Sequence, residues 1–382
     1  MNVTFLIGNG FDLGVGMHTR YEDFYKEYCI QKENDIIPVL EFKRMLLERD
    51  EKEKIIDWSD FEQAFGEYST SFTSETKADY LACFDDFVLS FNSYIEKEET
   101  RVQYPHNEIV ETMKSALKNY TNLSEKDKQK IKKLMDTHRT VASYSFVNFN
   151  YTQVLDKCVN RLKRQENPSV FRINGNVLHI HGYVKKEMIM GVNDPSQIKN
   201  RELANDPDIV ETLVKPLQNE NIGTVNDALL TATIQNSDII CIYGMSIGNT
   251  DKKWWDMISK WLLNKKTNIL IILVHDKEYN VRIPHNITIR KKAALNNFLE
   301  KSSLREDRKF EISERIFIDF NKDIFAMKLT KDDNEMKTKE KNAQASSLNQ
   351  MIKEYDSLKK SLSIEGIEID DIKKFIDIDI PV

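Results

Sequence analysis

The sequence has few cysteines and no long apolar run. Its four cysteines are scattered through 382 residues, and none forms a CxxC pair or stands close to a histidine. A structural zinc site needs closely spaced Cys and His ligands, so none is expected. We interpret each cysteine as a small buried hydrophobic residue. No apolar run approaches the ~20 residues that cross a bilayer, so we expect no membrane partner.

The charge balance excludes little beyond a strongly basic nucleic-acid binder. Lys and Arg number 55 and Asp and Glu number 61, which gives a net charge of −6. Such a surface has no overall attraction to nucleic acid. The first residues carry no basic segment ahead of an apolar one, so we expect no secretory signal and a cytoplasmic location.

Glycine is also scarce, with 12 residues, yet four lie close together near the start of the chain. They are Gly8, Gly10, Gly14 and Gly16, and they follow the apolar segment Val3–Ile7. A buried strand that runs into a glycine-rich turn is typical of a nucleotide phosphate site in α/β proteins. The spacing departs from GxGxxG by one residue, so an ordinary strand-to-helix turn is the alternative.

The hydrophobic pattern predicts an α/β protein with a Rossmann-like parallel sheet. Apolar segments without alternation, separated by amphipathic stretches, indicate strands covered on both faces. After the first strand, residues 21–140 have helical spacing and are interpreted as a large helical insertion. Residues 1–330 are expected to form the α/β domain, and residues 331–382 a charged linker with a helical C-terminal segment. The later strands are predicted at Val141–Val147, Ile239–Tyr243 and Asn268–Val274.

Two further segments carry specific expectations. Val170–Ile173 and Val177–Ile180 flank Asn174-Gly175, a combination that predicts a β-hairpin. Residues 193–221 are polar and are expected to form a loop that covers the site.

Four segments with polar or small residues follow predicted strands. They are Gly8–Gly14, Asn148–Thr152, His181-Gly182 and Gly244–Asp251. In an open parallel sheet, ligands bind beyond the carboxyl ends of the strands. The sequence therefore predicts one site formed by these four loops.

Several motifs resemble those of the bacterial abortive-infection AbiH family of phage-defence proteins. The matching segments are Phe5–Asp12, Thr19–Tyr21 with Phe24, Trp58–Glu62, Asn148–Thr152, His179–Gly182 and Tyr243–Gly248. They cover roughly residues 1–265. The order of the loops also resembles the sirtuin-like NAD-binding fold, without the zinc ribbon of protein deacylases.

The resemblance implies an anti-phage effector that hydrolyses NAD to nicotinamide and ADP-ribose without a metal. NAD is then the nucleotide ligand. A homo-oligomer or a partner protein of a defence system would fit such a role, and the phage-derived trigger is not indicated. A nucleotide-binding sensor that catalyses nothing and recruits a partner is the alternative. A nuclease is a weaker one, since no acid cluster has metal-ligand spacing.

Two residues are the candidates for catalysis. His181 is the expected general base, because histidine titrates near neutral pH without perturbation. Asn150 is expected to hold the ribose hydroxyls or the attacking water, since an amide both donates and accepts. A strand-end histidine bonded to backbone and an asparagine helix cap are the structural alternatives.

The remaining candidates are predicted to contact the nucleotide. The diphosphate and ribose contacts are assigned to Gly8, Asn9, Gly10, Phe11, Asp12, Gly244 and Ser246. For Asp12 a favourable position at a helix start explains the residue equally well, and for Asp251 this explanation is favoured over a ligand contact. Glu62 is a possible second acid. His179 lies two positions from His181, but the sequence supplies no third metal ligand.

Overall fold

The computed structural model describes residues 1–30, 35–53, 58–135, 141–223, 225–280 and 282–331. The C-terminal helical segment predicted within 331–382 therefore lies outside the described residues.

The described residues contain one sheet whose seven strands are all parallel, which confirms the predicted Rossmann-like α/β class. The strands are β1 Asn2–Ile7, β2 Ala142–Asn148, β3 Phe171–Ile173, β4 Leu178–His179, β5 Ile239–Tyr243, β6 Ile269–Val274 and β7 Ile316–Phe320. Their order is β3-β2-β1-β5-β6-β7, with β4 also paired to β2. The central strands are almost wholly apolar because helices cover both faces.

Helices make up most of the remaining described chain. Their bounds are α1 Gly10–Gly14, α2 Tyr21–Tyr28, α3 Ile37–Glu53, α4 Trp58–Tyr68, α5 Lys77–Thr100, α6 His106–Asn119, α7 Glu125–Met135, α8 Val154–Lys163, α9 Pro207–Leu213, α10 Lys215–Asn221, α11 Asn226–Asn236, α12 Lys252–Asn264, α13 Pro284–Glu300 and α14 Glu306–Ser313. None of the helices in the described part of the chain is long and apolar enough to span a bilayer.

The predicted hairpin at 170–180 is wrong. β3 and β4 do not pair with each other in antiparallel fashion; each pairs in parallel with β2. β3 lies against Ala142–Tyr144, and β4 lies against Val147 and Asn148. The turn chemistry of Asn174-Gly175 fits both arrangements, and the long edge of β2 offers hydrogen-bond partners to both short strands.

The loop predicted at 193–221 is also wrong, because this segment contains α9 and α10. Asp206 caps α9 by accepting hydrogen bonds from the backbone N–H groups of Asp208 and Ile209. A proline occupies the first turn of each helix, where its missing N–H is not needed. Both helices are too short for their apolar spacing to stand out from a polar sequence.

The described residues form three apolar cores. One face of the sheet packs on α6 and α8, through residues such as Phe5, Met113 and Leu155. The opposite face packs on α11 and α12, with Trp255 and Trp261 fully buried. The third core is rich in aromatic residues and joins α2–α5 to the segment that runs from residue 184 to 214. All four cysteines are buried and free, as the sequence predicts.

The strand order reverses at β1, and this positions the candidate site. From β1 the chain goes to β2 on one side and, later, to β5 on the other. Ile7 pairs with Asn148 of β2 and with Tyr243 of β5, so the three strands end at the same level. Loops that follow these strands meet at a topological switch point, where α/β proteins bind ligands.

Candidate functional site

At the switch point, the glycine loops after β1 and β5 pack directly on each other. The N–H of Gly8 donates to the carbonyl of Tyr243 at 2.9 Å, and that of Gly10 donates to Gly244 at 2.7 Å. A Cβ atom on Gly10 would lie 2.5 Å from the Cα of Gly244. The glycines therefore occupy places where no side chain fits, but a neighbouring loop fills the space. Their diphosphate contacts stay a prediction.

Of the other residues assigned to the nucleotide, Phe11 and Asn9 have structural partners. Phe11 is buried in the core, with its ring centroid 5.4 Å from that of Phe325. Asn9 donates to the Thr19 carbonyl and accepts from its hydroxyl, which ties the loop to the chain before α2. Ser246 is exposed on the loop after β5.

Asn150 is a buried organiser of the loops at the switch point. Its side-chain amide donates to the Gly8 carbonyl at 3.0 Å, and its backbone N–H donates to Oδ1 of Asn148. Asn148 in turn donates to the carbonyl of Thr152. These bonds join the ends of β1 and β2, while contact of Asn150 with a ligand stays a prediction.

Asp12 lies in the same buried network. Its two carboxylate oxygens accept from the Thr152 hydroxyl at 3.0 and 2.8 Å. Burial raises the pKa of Asp12 to about 7, although the hydrogen bond from Thr152 partly opposes this shift. A group with this pKa changes protonation close to neutral pH.

His181 lies against the carboxylate of Asp251, which is on the loop after β5. Its Nε2 is 3.1 Å from Oδ1 of Asp251, and both side chains are mostly buried. The ring also contacts the rings of Phe149 and Tyr151, with centroids at 5.5 and 6.3 Å. Within the described part of the chain, neither ring nitrogen of His181 nor Oδ1 of Asp251 has an aligned hydrogen-bond partner.

A buried ammonium group completes this cluster. Nζ of Lys215 lies 2.8 Å from Oε2 of Glu62 and 3.7 Å from Oδ1 of Asp251. Burial by itself would raise the pKa of Asp251, but the charges of Lys215 and His181 outweigh it and hold that pKa well below its usual range. Burial likewise opposes the charge on Lys215, whose pKa is nevertheless raised by Asp251 and Glu62. Asp251 and Lys215 therefore keep their charges at neutral pH.

The cluster opens into a narrow polar cleft. Its volume is about 10 Å³, close to the roughly 10–15 Å³ that a cavity needs to hold one water. Its described lining comprises Ile180, His181, Asn193, Lys215, Pro216, Asn219, Asp227, Thr250, Asp251, Lys253 and Trp254. The cleft thus joins the loops after β4 and β5 to α10, and Asn150 is not among the described lining residues.

The two neighbouring histidines have different acidic partners. Nε2 of His179 lies 2.8 Å from Oδ2 of Asp156 on α8, whereas His181 faces Asp251. The residues that the structure describes contain no group of three or more His, Cys, Asp or Glu that could hold a metal ion.

Sequence reasoning missed Lys215 and undervalued Asp251. Lys215 lies in the segment interpreted as a loop, and a single lysine before a proline carries no signal of burial. Asp251 immediately precedes α12, and an acid at a helix start has a sufficient structural explanation. Glu62, a possible second acid by sequence, accepts a hydrogen bond from the Lys215 ammonium.

These features define a class of α/β protein with a buried charged cluster beyond the carboxyl ends of a parallel sheet. The model of the bacteriophage abortive infection AbiH family matches residues 4–273, and the chain belongs to this family. Membership in the AbiH family supports a role in abortive infection by bacteriophage, as the sequence predicts. No curated protein matches the chain.

Proposed function

We propose that the protein acts in abortive infection by hydrolysing the bond between nicotinamide and ribose in NAD. The observation that carries the proposal is the buried pair of His181 and Asp251, whose facing atoms lack aligned partners within the described chain. Unsatisfied polar atoms beside a water-sized cleft are suited to hold a nucleophilic water. A relation to the sirtuin-like NAD-binding fold is part of the same proposal.

In the proposed reaction, water forms a bond to C1′ of the nicotinamide ribose while the C1′–N bond breaks. Nicotinamide leaves as a neutral molecule with the bonding electron pair, and the remaining product is ADP-ribose. His181 takes the proton of the water and passes it to solvent. The ionised Asp251 orients the ring and stabilises its protonated form, as the acid of a catalytic triad does.

The position in the fold agrees with a nucleotide substrate. The cleft lies beyond the carboxyl ends of β4 and β5, beside the loops at the switch point. Because the cleft has room for about one water, NAD enters only after the covering segment with α10 moves. The N–H groups of Gly8 and Gly10 are bonded to Tyr243 and Gly244, so their predicted contact with the diphosphate requires these two loops to separate.

A nucleotide-binding sensor without catalysis is the second candidate. The narrowness of the cleft favours it, because a closed site is suited to report binding through the movement of its cover. In that case His181 and Asp251 hold the ligand and activate no water.

The two candidates differ in whether NAD is hydrolysed or only bound. The full-length protein is incubated with NAD, with and without extract from phage-infected cells, and nicotinamide is measured by chromatography. Calorimetry on the same protein measures NAD binding. We expect release of nicotinamide and ADP-ribose in equal amounts. Binding without release in either condition would support the sensor, and the absence of both would refute both candidates.

A further inference from the structure

A continuous line of alternating charges leads from the helical insertion to His181. Glu62 belongs to α4, and Lys215 is the first residue of α10. Asp251 immediately precedes α12, and His181 follows β4. Successive side chains are separated by 2.8, 3.7 and 3.1 Å. Four segments that are distant in sequence therefore converge on one row of side chains.

Lys215 and Glu62 are both buried, and this indicates that the row of charges does more than stabilise the fold. Both side chains are only 7% exposed. Removing an ion pair from water carries a large desolvation cost, so such pairs are uncertain contributors to stability. Here the ammonium faces a second carboxylate, Asp251, which itself faces the histidine. Stability alone would not require Lys215 to contact Asp251.

We propose that Lys215 is a positioning residue, which keeps the Asp251 carboxylate ionised and directed at His181, and that Glu62 fixes the Lys215 ammonium in place. This inference rests on the proposed function. It makes α4 of the insertion a necessary part of the site, because one of the two carboxylates that hold Lys215 comes from this helix.

The physical consequence concerns the charge on Asp251. Without the ammonium, the buried Asp251 carboxylate loses a positive neighbour and is more easily protonated. A protonated Asp251 no longer stabilises the cationic form of His181. The rate of the chemical step therefore falls, and activity on the acid side of the pH profile is lost at a higher pH than in the wild type.

The test compares Lys215→Met, Lys215→Arg and Glu62→Gln in NAD hydrolysis. We expect Lys215→Met to lower kcat by about 10- to 100-fold, with KM changed less than about threefold, and to move the acid limb to higher pH. Lys215→Arg restores much of kcat because it retains the charge, and Glu62→Gln gives an intermediate loss. Unchanged kcat and pH profile in Lys215→Met would overturn the proposal.

Lys77→Met is the matched control. Lys77 also faces two carboxylates, those of Asp206 and Asp208, at 2.8 and 2.7 Å, but none of the three is among the described residues that line the cleft. Lys77→Met should retain the kcat and the pH profile of the wild type. If Lys215→Met does not fold, the isosteric Glu62→Gln and the charge-conserving Lys215→Arg decide the outcome. Full activity in Glu62→Gln would remove the role given to α4.

A measurement without substrate separates this inference from the proposed function. Protein labelled with ¹⁵N at histidine gives ring resonances for each of its seven histidines, and His181→Asn assigns the one of interest. Lys215→Met should shift the His181 ring resonances at neutral pH, and Lys77→Met should not. An absence of NAD turnover in the wild type would end the proposed function, whereas unshifted His181 resonances would end the positioning role.

Discussion

A Cβ atom on Gly10 would lie 2.5 Å from the Cα of Gly244, well below the 3.0 Å under which contacts of a Cβ atom essentially never occur. The clash is with backbone, so no side chain can turn aside to relieve it. We expect Gly10→Ala to lower the free energy of unfolding by about 1–3 kcal/mol, the usual cost of overpacking. Urea unfolding followed by circular dichroism measures this change.

Gly14 is the matched control at the other end of α1. A Cβ atom there would lie 3.8 Å from the Tyr243 hydroxyl, which is an ordinary contact. Gly14→Ala should change the free energy of unfolding by less than about 1 kcal/mol. Equal effects of the two substitutions would contradict the packing explanation for Gly10.

Because the pKa of Asp12 is raised, we expect the stability of the protein to depend on pH. Its pKa is about 7 in the folded protein against a usual value of 3.8, so the folded state binds the proton more tightly. Stability therefore falls as the pH rises from about 4 to about 7. Asp12→Asn, which keeps a group that accepts from Thr152, removes this loss.

The effect is read from unfolding measurements at pH 5 and pH 8. The free energy of unfolding of Asp12→Asn minus that of the wild type should be roughly 2–4 kcal/mol larger at pH 8 than at pH 5. The comparison within each protein cancels changes that do not depend on pH. A pH-independent difference between the two proteins would show that Asp12 is ionised throughout.

Lys43 and Asp35 form a buried ion pair in the aromatic core of α2–α5. Their charged atoms are 2.7 Å apart, and the side chains are 1% and 4% exposed. Lys43→Met leaves a carboxylate buried without its cation, so it should destabilise the fold by about 3–5 kcal/mol. The exposed pair of Lys26 and Glu22 provides the control, and Lys26→Met should cost less than about 1 kcal/mol.

The sheet could be predicted because its strands carry their own signal. Ile239–Tyr243 is buried at every position, and a short apolar run without alternation indicates such a strand directly. The pairing of β3 and β4 with β2 could not be predicted in this way. It depends on which strand edge is open in the assembled sheet, which no local pattern encodes.

The candidate site was predictable only where a residue stands at a strand end. His181 and the glycine loops follow strands, so the general rule for parallel sheets placed them at one edge. Lys215 and Glu62 reach the site from helices outside the sheet. Their role depends on tertiary packing. Glu62 belongs to a motif segment, but no sequence neighbour of Lys215 marks that residue. Only the structure reveals that the space beside Gly8 and Gly10 is occupied by the loop after β5.

The most direct test of the account is the rate of nicotinamide release from NAD by wild type, His181→Asn and His106→Asn. His106 is exposed at the start of α6 and controls for the loss of a histidine. We expect His181→Asn to lose about 10²–10⁴-fold in kcat while retaining the folded circular dichroism spectrum and NAD affinity, and to fail to protect cells from phage. His106→Asn should match the wild type. Wild-type turnover by His181→Asn would contradict the central claim that His181 is the general base.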